Sequence, residues 1–269
     1  DIIKTWLPGI FLISVMAPAS MLWGQNTYVP DDNFEQALID LGYDDVIDDY
    51  VVTANISGVT SLDVGEKEIS DLTGIAGFTA LTSLSCDDNQ LTSLDVSNNT
   101  ALTFLHCGTN QITELDVSNN TALTSLYCNT NQLTALDVST NTALTYLHCG
   151  TNQITALDVS ANTALTVLYC YYNQLTALDV NANTALQTLA CYGSSPTSSH
   201  GVTNQITALD VSNNTALTYL HCATNQITEL DVSNNTALVT LYCYYNQLTS
   251  LDVSANTALQ TLSFYGSSS

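Results

Sequence analysis

Residues 102–122 read LTFLHCGTNQITELDVSNNTA, and residues 123–143 read LTSLYCNTNQLTALDVSTNTA. The two blocks align position by position, and the 21-residue period they set decides the fold. Cys86, Cys107, Cys128, Cys149, Cys170 and Cys191 keep that period. Cys222 and Cys243 resume it after ten extra residues, and Phe264 takes the next place. The extra residues fall within 192–203, a stretch rich in Gly, Ser, Thr and Pro that reads as a loop bulging from one coil.

Within each block the pattern L-x-x-L-x-C-x-x-N-Q-[LI] is the leucine-rich-repeat signature with Cys in an apolar slot. Leu-x-Cys supplies a short strand, Asn turns the chain off it, Leu-Asp-Val-Ser runs back along the outer side, and Asn-Thr-Ala-Leu leads to the next coil. No block carries a ten-residue amphipathic helical pattern, so the outer side is expected to be extended or 3₁₀. Leu62-Asp63-Val64 is an earlier strand, 22 residues before Leu84-Ser85-Cys86, which makes ten strands. The fold class is therefore mostly β: a solenoid of stacked coils with a curved parallel sheet on the concave face, occupying 56–269.

Ahead of the repeats, residues 31–41 (DDNFEQALIDL) read as a helix. Phe34, Ala37, Leu38 and Leu41 form its apolar stripe, and acidic residues sit in its first turn. A solenoid end exposes apolar core, so a small N-terminal helical cap over 25–55 is expected. Residues 1–24 read as a signal peptide: Lys4, an apolar run from Ile10 to Ala17, then small residues. Cleavage is expected near Gly24, with Ala19 as second choice and a retained anchor as the alternative. The first residue is Asp1 and no cap follows the last repeat, so the gene is expected to extend past both ends.

Asp and Glu number 25 against two cations, Lys4 and Lys67, for a formal net charge of -23. Nucleic-acid binding and docking on anionic lipid both need Lys and Arg, so both are excluded. The charge favours cationic partners or divalent ions and keeps the protein soluble. Once the signal is removed, no membrane insertion is expected.

The spacing N-Q-[LI]-T-x-L-D-V-S-x-N-T-A-L-T-x-L, from about Ile56 onward, resembles secreted bacterial leucine-rich-repeat proteins of internalin-like type. The preceding YVPDDNF (28–34) looks like the leader of exported proteins of Gram-negative bacteria. The resemblance implies a curved solenoid, secreted or at the bacterial cell surface, that binds protein or glycan. Two departures stand out: Cys replaces the strand Leu, and no long cap or anchor follows.

Three ladders recur with the period. Asn89, Asn110, Asn131, Asn152, Asn173, Asn204, Asn225 and Asn246 are expected to satisfy backbone groups stranded at a tight turn. Lys67 takes the corresponding place in the first coil, which suggests that coil is partly open. The Cys ladder faces inward, opposite to neighbours such as His106, so no Cys–His metal pair or dyad forms on one strand. Eight Cys in an exported chain raise the question of disulfides. Parallel in-register neighbours suit a disulfide poorly, and buried free Cys acting as small apolar residues is the reading adopted. The Asp ladder is Asp95, Asp116, Asp137, Asp158, Asp179, Asp210, Asp231 and Asp252, facing out. Coils about 4.8 Å apart would set carboxylates repelling by about 1 kcal/mol. Backbone N–H groups of the following Ser-x-Asn turn can relieve this. A row of calcium ions is the alternative, although one Asp per coil supplies few of the oxygens calcium wants. No resident cofactor is otherwise expected. Asp44–Asp49 lacks the Gly and Glu of an EF-hand loop and reads as a solvated acidic loop.

No nucleophile elbow, phosphate loop or H-E-x-x-H is present, so the chain reads as a binding module and not an enzyme. Recognition of a protein partner is expected on the concave sheet, through Phe104, His106, Tyr127, Tyr146, His148, Tyr169, Tyr171, Tyr219, His221, Tyr242 and Tyr244. These residues precede, separate and follow the inward Leu and Cys, and therefore point outward. Simple packing, with large residues of one row interlocking with small ones of the next, is the competing account of the stripe. His in the stripe predicts weaker binding of a cationic ligand below about pH 6.5. Glycan capture is the main alternative within binding. A structural or ice-active array, built on Thr columns such as Thr100, Thr121, Thr142 and Thr163, is the alternative of another class.

Overall fold

The computed structural model describes residues 25–194 and 203–264. The export segment expected over 1–24 and most of the inserted loop lie outside the described residues. The described part opens with β1 (Asn26–Tyr28), α1 (Asp32–Asp40), β2 (Tyr50–Val52) and the short α2 (Thr53–Ile56). β1 and β2 pair antiparallel, an element the sequence did not announce. Phe34, Ala37 and Leu38 of α1 are buried as its periodicity predicts, but Leu41 is exposed, because the helix has ended and Leu41 is its C-cap.

One carboxylate ties this cap to the solenoid. Asp31 Oδ1 accepts the N–H groups of Asn33 and Phe34, capping α1, while Oδ2 accepts Ser70 N–H, Ser70 Oγ and Asp71 N–H at 2.7 to 3.0 Å. Burial pushes the Asp31 pKa up, but these donors together outweigh it and leave it below the usual carboxylate value.

The repeats form β3 (Ser61–Asp63), β4 (Ser83–Ser85), β5 (Phe104–His106), β6 (Ser125–Tyr127), β7 (Tyr146–His148), β8 (Val167–Tyr169), β9 (Thr188–Ala190), β10 (Tyr219–His221), β11 (Thr240–Tyr242) and β12 (Thr261–Ser263). They make one ten-stranded parallel sheet in chain order, with Leu105 opposite Leu126 and Leu126 opposite Leu147. Each strand is x-Leu-x and ends one residue before the Leu-x-Cys reading would have it. The Cys N–H still bonds to the next coil, Cys107 to the Tyr127 carbonyl at 2.9 Å. In one coil Leu102, Leu105, Cys107, Ile112, Leu115 and Val117 point inward and all are buried. A lone coil would leave both faces of that layer in water, so each coil is stabilised by its neighbours. All eight Cys are buried and free, and burial raises the Cys107 thiol to about 12.

The corner after each strand is strained and then held. The residue before the ladder Asn has positive φ in seven coils: Asp88 53°, Thr109 53°, Thr130 55°, Thr151 58°, Tyr172 50°, Thr224 55° and Tyr245 53°. For β-branched and bulky side chains this costs about 1–3 kcal/mol each. Asn152 Nδ2 donates to the carbonyls of Cys128 and Cys149 at 3.0 and 3.1 Å, and its Oδ1 accepts the Leu133 N–H at 3.0 Å. Asn110, Asn131, Asn173, Asn204, Asn225 and Asn246 repeat the arrangement. Asn89 does so too, with Val64 as the donor's partner in the preceding coil. The first coil is not open as Lys67 suggested: Asn89 Oδ1 accepts the Lys67 N–H, and Asn33 of α1 donates to the Glu68 carbonyl.

A second Asn column, in the Asn-Thr-Ala-Leu segments that lead from coil to coil, runs through Asn99, Asn120, Asn141, Asn162, Asn183, Asn214, Asn235 and Asn256, all buried. Asn162 Nδ2 donates to the Val138 and Asn141 carbonyls at 3.0 and 2.9 Å, clamping the outer turn of one coil to the one before. Among the described residues no helix is long and apolar enough to cross a membrane.

Candidate binding face

The outward residues of the sheet are less free than alternation alone implied. Phe104, His106, Tyr127, Tyr146, His148, Tyr169, Tyr171, Tyr219, His221, Tyr242 and Tyr244 are each half-buried, and what covers them is largely one another. Phe104 meets Tyr127 at 5.5 Å between centroids, Tyr127 stacks on Tyr146 at 4.5 Å, and Tyr146 meets Tyr169 edge-on at 5.8 Å. His148 contacts Tyr169 and Tyr171, and its Nε2 lies 2.9 Å from the Tyr171 hydroxyl. After the insertion Tyr219, His221, Tyr242 and Tyr244 continue the contacts.

Size alternation has a visible cause. A Cβ on Gly150 would sit 2.9 Å from the Tyr171 ring, so the glycine is what lets that ring lie over the preceding row. Packing thus explains why large follows small. It does not explain why the large residues are aromatic and amphipathic.

Tyr192 belongs to the stripe, although by sequence it falls within the insertion span 192–203. Its ring is parallel to Tyr171 within 11° at 4.7 Å, and it lies on His221 at 4.0 Å. It therefore bridges the coils on either side of the inserted residues. The signal was present: Tyr192 follows Cys191 as Tyr171 follows Cys170, before the register breaks. Gly193, next to it, packs so closely on the Thr224 carbonyl and Thr203 that no Cβ fits.

The stripe is electrically quiet at its centre. Burial lowers His148 to about 4, with the nearby His106 contributing, and burial lowers His221 to about 4. These two imidazoles are neutral at pH 6.5, so the expected loss of cation binding near that pH is corrected downward for them. Tyr146 and Tyr192 hydroxyls are raised by burial and then by neighbouring tyrosines. At the N-terminal end His106 Nδ1 lies 3.2 Å from Asp87.

The Asp ladder stands elsewhere, on the returning segment. Ser97 N–H donates to Asp95 Oδ1 at 2.9 Å, and the same bond recurs at Asp116, Asp137, Asp158, Asp210, Asp231 and Asp252. Asp179 takes the Asn181 N–H instead. The following Ser lowers the Asp116 pKa, and the flanking Asp137 and Asp95 raise it by less. A broad cleft of about 770 Å³ runs past Asp95, Asp116 and Asp137, with no aromatic side chain in its lining. In the cap, oxygens of Asp32, Glu35 and Asp49 lie within 4.8 Å of one another. The Glu35 carboxylate is already used by the N–H groups of Asp48, Asp49 and Tyr50.

Against known structures, the chain superposes on the functional domain of InlJ from Listeria monocytogenes, which includes a cysteine ladder. The TM-score is 0.68 at 40% identity, over 88% of this chain and 56% of that one. This chain is an internalin-like leucine-rich-repeat protein. A cysteine ladder, which the sequence marks as a departure from internalins, is thus a feature that one of them also has. Over 74 residues the internalin-like chain is 45% identical to Internalin J of Listeria monocytogenes serotype 4b (strain F2365), a match covering 28% of this chain and 8% of that protein. It spans just over half the length of the InlJ domain it matches. A Leptospira interrogans leucine-rich-repeat protein (TM-score 0.67, 23% identity, 75% and 54% of the two chains) shares the fold. So does a plant peptide hormone receptor in complex with RGF2 (0.63, 22%, 74% and 34%). No family model matches.

Proposed function

We propose that this internalin-like solenoid recognises a protein partner outside the cell through its concave face. The observation that carries the reading is the run of touching rings from Phe104 to Tyr245, within which no Asp, Glu, Lys or Arg occupies an outward strand position. Tyrosine offers a flat apolar face and a hydroxyl at small entropic cost, which is what protein hot spots use. The plant receptor of the same fold, solved with its peptide, supports a binding role. The segment read as an export signal supports an extracellular one. Chemistry is not part of the proposal: the sequence carries no nucleophile elbow, phosphate loop or H-E-x-x-H on which a reaction could be argued.

Glycan capture is the second reading, favoured by the many half-buried tyrosines of the face, Tyr169 and Tyr242 among them, since a phenol ring and its hydroxyl suit a sugar as well as a protein. The test is to present the purified solenoid to arrays of purified extracellular proteins and of polysaccharides. Saturable binding to a protein, competed by soluble solenoid, is expected. Binding confined to polysaccharides would replace this reading with the second one.

A further inference from the structure

The concave face changes character along its length. The outward residues of β3 are Ser61 and Asp63, those of β4 are Ser83 and Ser85, and Gly65 and Asp87 follow on the same side. Aromatic side chains begin only with Phe104 and His106 of β5, which pair with Ser83 and Ser85. Two coils of hydroxyls and carboxylates therefore precede the ring stripe on one continuous sheet. His106 joins the two parts: its Nδ1 lies 3.2 Å from Asp87 Oδ1, and its ring meets Tyr127 at 5.1 Å between centroids.

These carboxylates are open to solvent. Asp63 is exposed, and the side chains of Asp87 and His106 are 27% and 29% exposed. A Cβ on Gly65 would sit 3.0 Å from Asp87 Oδ1 and 3.4 Å from Asp63 Oδ1, so both acids border the space above the glycine. Asp63 Oδ1 accepts the Gly65 N–H at 3.1 Å, and Asp87 Oδ1 accepts the Ser85 hydroxyl at 2.6 Å. Among the described residues no Lys reaches either carboxylate. Two like charges on so small a surface repel, and a cation laid between them relieves both. A second copy of this chain would bring another net charge of -23 and only Lys4 and Lys67 to meet these acids. Calcium wants about 6–8 oxygens, more than this surface gathers. A guanidinium is satisfied by fewer acceptors, its planar fork can bond two carboxylates at once, and its flat face packs well beside rings such as His106 and Tyr127.

We infer that Asp63 and Asp87 receive an arginine of the protein partner, and that this contact fixes which way the partner lies on the concave face. The inference rests on the concave-face reading above and adds a polarity to it: the partner is basic over β3 and β4 and apolar over the rings. Coils stand about 4.8 Å apart and an extended chain rises about 3.3 Å per residue, so apolar side chains about two to five residues from the arginine fall over β5 to β7. The carboxylates speed encounter and set register, while the rings supply the apolar contact area.

The test uses the whole chain and N-acetylarginine methylamide as the probe, read by the His106 ring-proton signals in NMR at neutral pH. The control probe is the corresponding citrulline derivative, which is neutral and of the same shape. The variant is Asp63→Asn with Asp87→Asn, whose amide oxygens can still accept the Gly65 N–H and the Ser85 hydroxyl, so folding is retained. A charge control, Asp95→Asn with Asp116→Asn, removes the same two charges from the returning segment. We expect a saturable shift of the His106 signals with the arginine probe, at least about tenfold weaker binding of the citrulline probe, and a loss of about tenfold or more in the Asp63, Asp87 variant. The charge control should bind within about twofold of wild type. No saturable shift, equal binding of the two probes, or equal losses in the two double variants would each overturn the assignment, the last by showing diffuse attraction alone. Shifts of His148 and His221 as large as that of His106 overturn it as well. A protein found on the array that keeps full affinity for the Asp63→Asn, Asp87→Asn variant but loses it when Tyr169 and Tyr171 are altered removes the arginine contact and leaves the concave-face reading standing.

Discussion

Tyr192 lies almost flat on His221, centroids 4.0 Å apart and planes 23° from parallel. The contact joins the coils on either side of the inserted residues, so the aromatic stripe is not interrupted where the repeat is. It also buries an imidazole whose Nε2 has no hydrogen-bond partner among the described residues.

Protonation of that imidazole should therefore be deferred. Around His221 stand Tyr192, Tyr219, Tyr242 and Tyr244; around His148 stand Tyr127, Tyr169 and Tyr171, with His106 near enough to oppose its charge. Both imidazoles titrate near 4 in the folded protein against 6.5 ordinarily. Between those values the unfolded chain binds protons that the folded one refuses. The contribution of these groups to stability is thus complete above pH 6.5, declines as pH falls toward 4, and levels off below. NMR titration of the histidine ring protons should give midpoints near 4 for His148 and His221. Midpoints at the ordinary histidine value would mean the stack is not formed in solution.

At the strained corner, Asn152→Ala should destabilise by about 1–3 kcal/mol, because it strands the Cys128 and Cys149 carbonyls and the Leu133 N–H. Thr151→Ala should cost little, and Thr151→Asn should stabilise by up to about 1 kcal/mol, since Asn tolerates the left-handed region that Thr resists. Urea midpoints of the three variants give the order directly. Equal midpoints for Asn152→Ala and Thr151→Ala would refute the corner account.

The cysteine column should behave as a dry apolar layer. Cys107, Cys149 and Cys191 have thiols raised to about 12 by burial, so thiolate is scarce at neutral pH. Alkylation should be slow in the native protein and should run to eight labels once urea unfolds it. Intact disulfides in the mass spectrum of the denatured, unreduced chain would contradict this.

Calcium should matter little to the Asp ladder. One oxygen of each carboxylate already holds the backbone N–H two residues on, at 2.8 or 2.9 Å. Millimolar calcium should shift the melting temperature by no more than about a degree. A large shift reversed by chelator would restore the row of ions.

The ten strands are legible in advance because Leu and Cys recur at fixed places, and periodicity reports burial directly. The β1–β2 pair is not, because Asn26–Tyr28 and Tyr50–Val52 are three-residue strands paired across a helix with no alternation to mark them. The Asn162 column was equally periodic with the Asn152 column, but Asn-Thr in a turn has a local explanation, and that hid its buried role. The positive φ at Thr151 is invisible in sequence because Thr is a poor choice there, and only the Asn that follows makes it tolerable. In the stripe, direction could be read from alternation, but ring-on-ring covering could not, nor could the return of Tyr192 to register beside a broken repeat.

The central claim is that the concave stripe binds, and the most direct measurement compares wild type with Tyr169→Ala, Tyr171→Ala against a protein partner identified on the array. Ala190 and Ala223 already occupy these two slots in other coils, so the variant keeps the fold at a cost of about 1–2 kcal/mol from lost ring contacts and the His148 bond. The account predicts an unchanged circular dichroism spectrum, a slightly lower melting temperature and loss of binding by at least about a hundredfold. Full affinity in a folded double variant would contradict it and move recognition off the concave face.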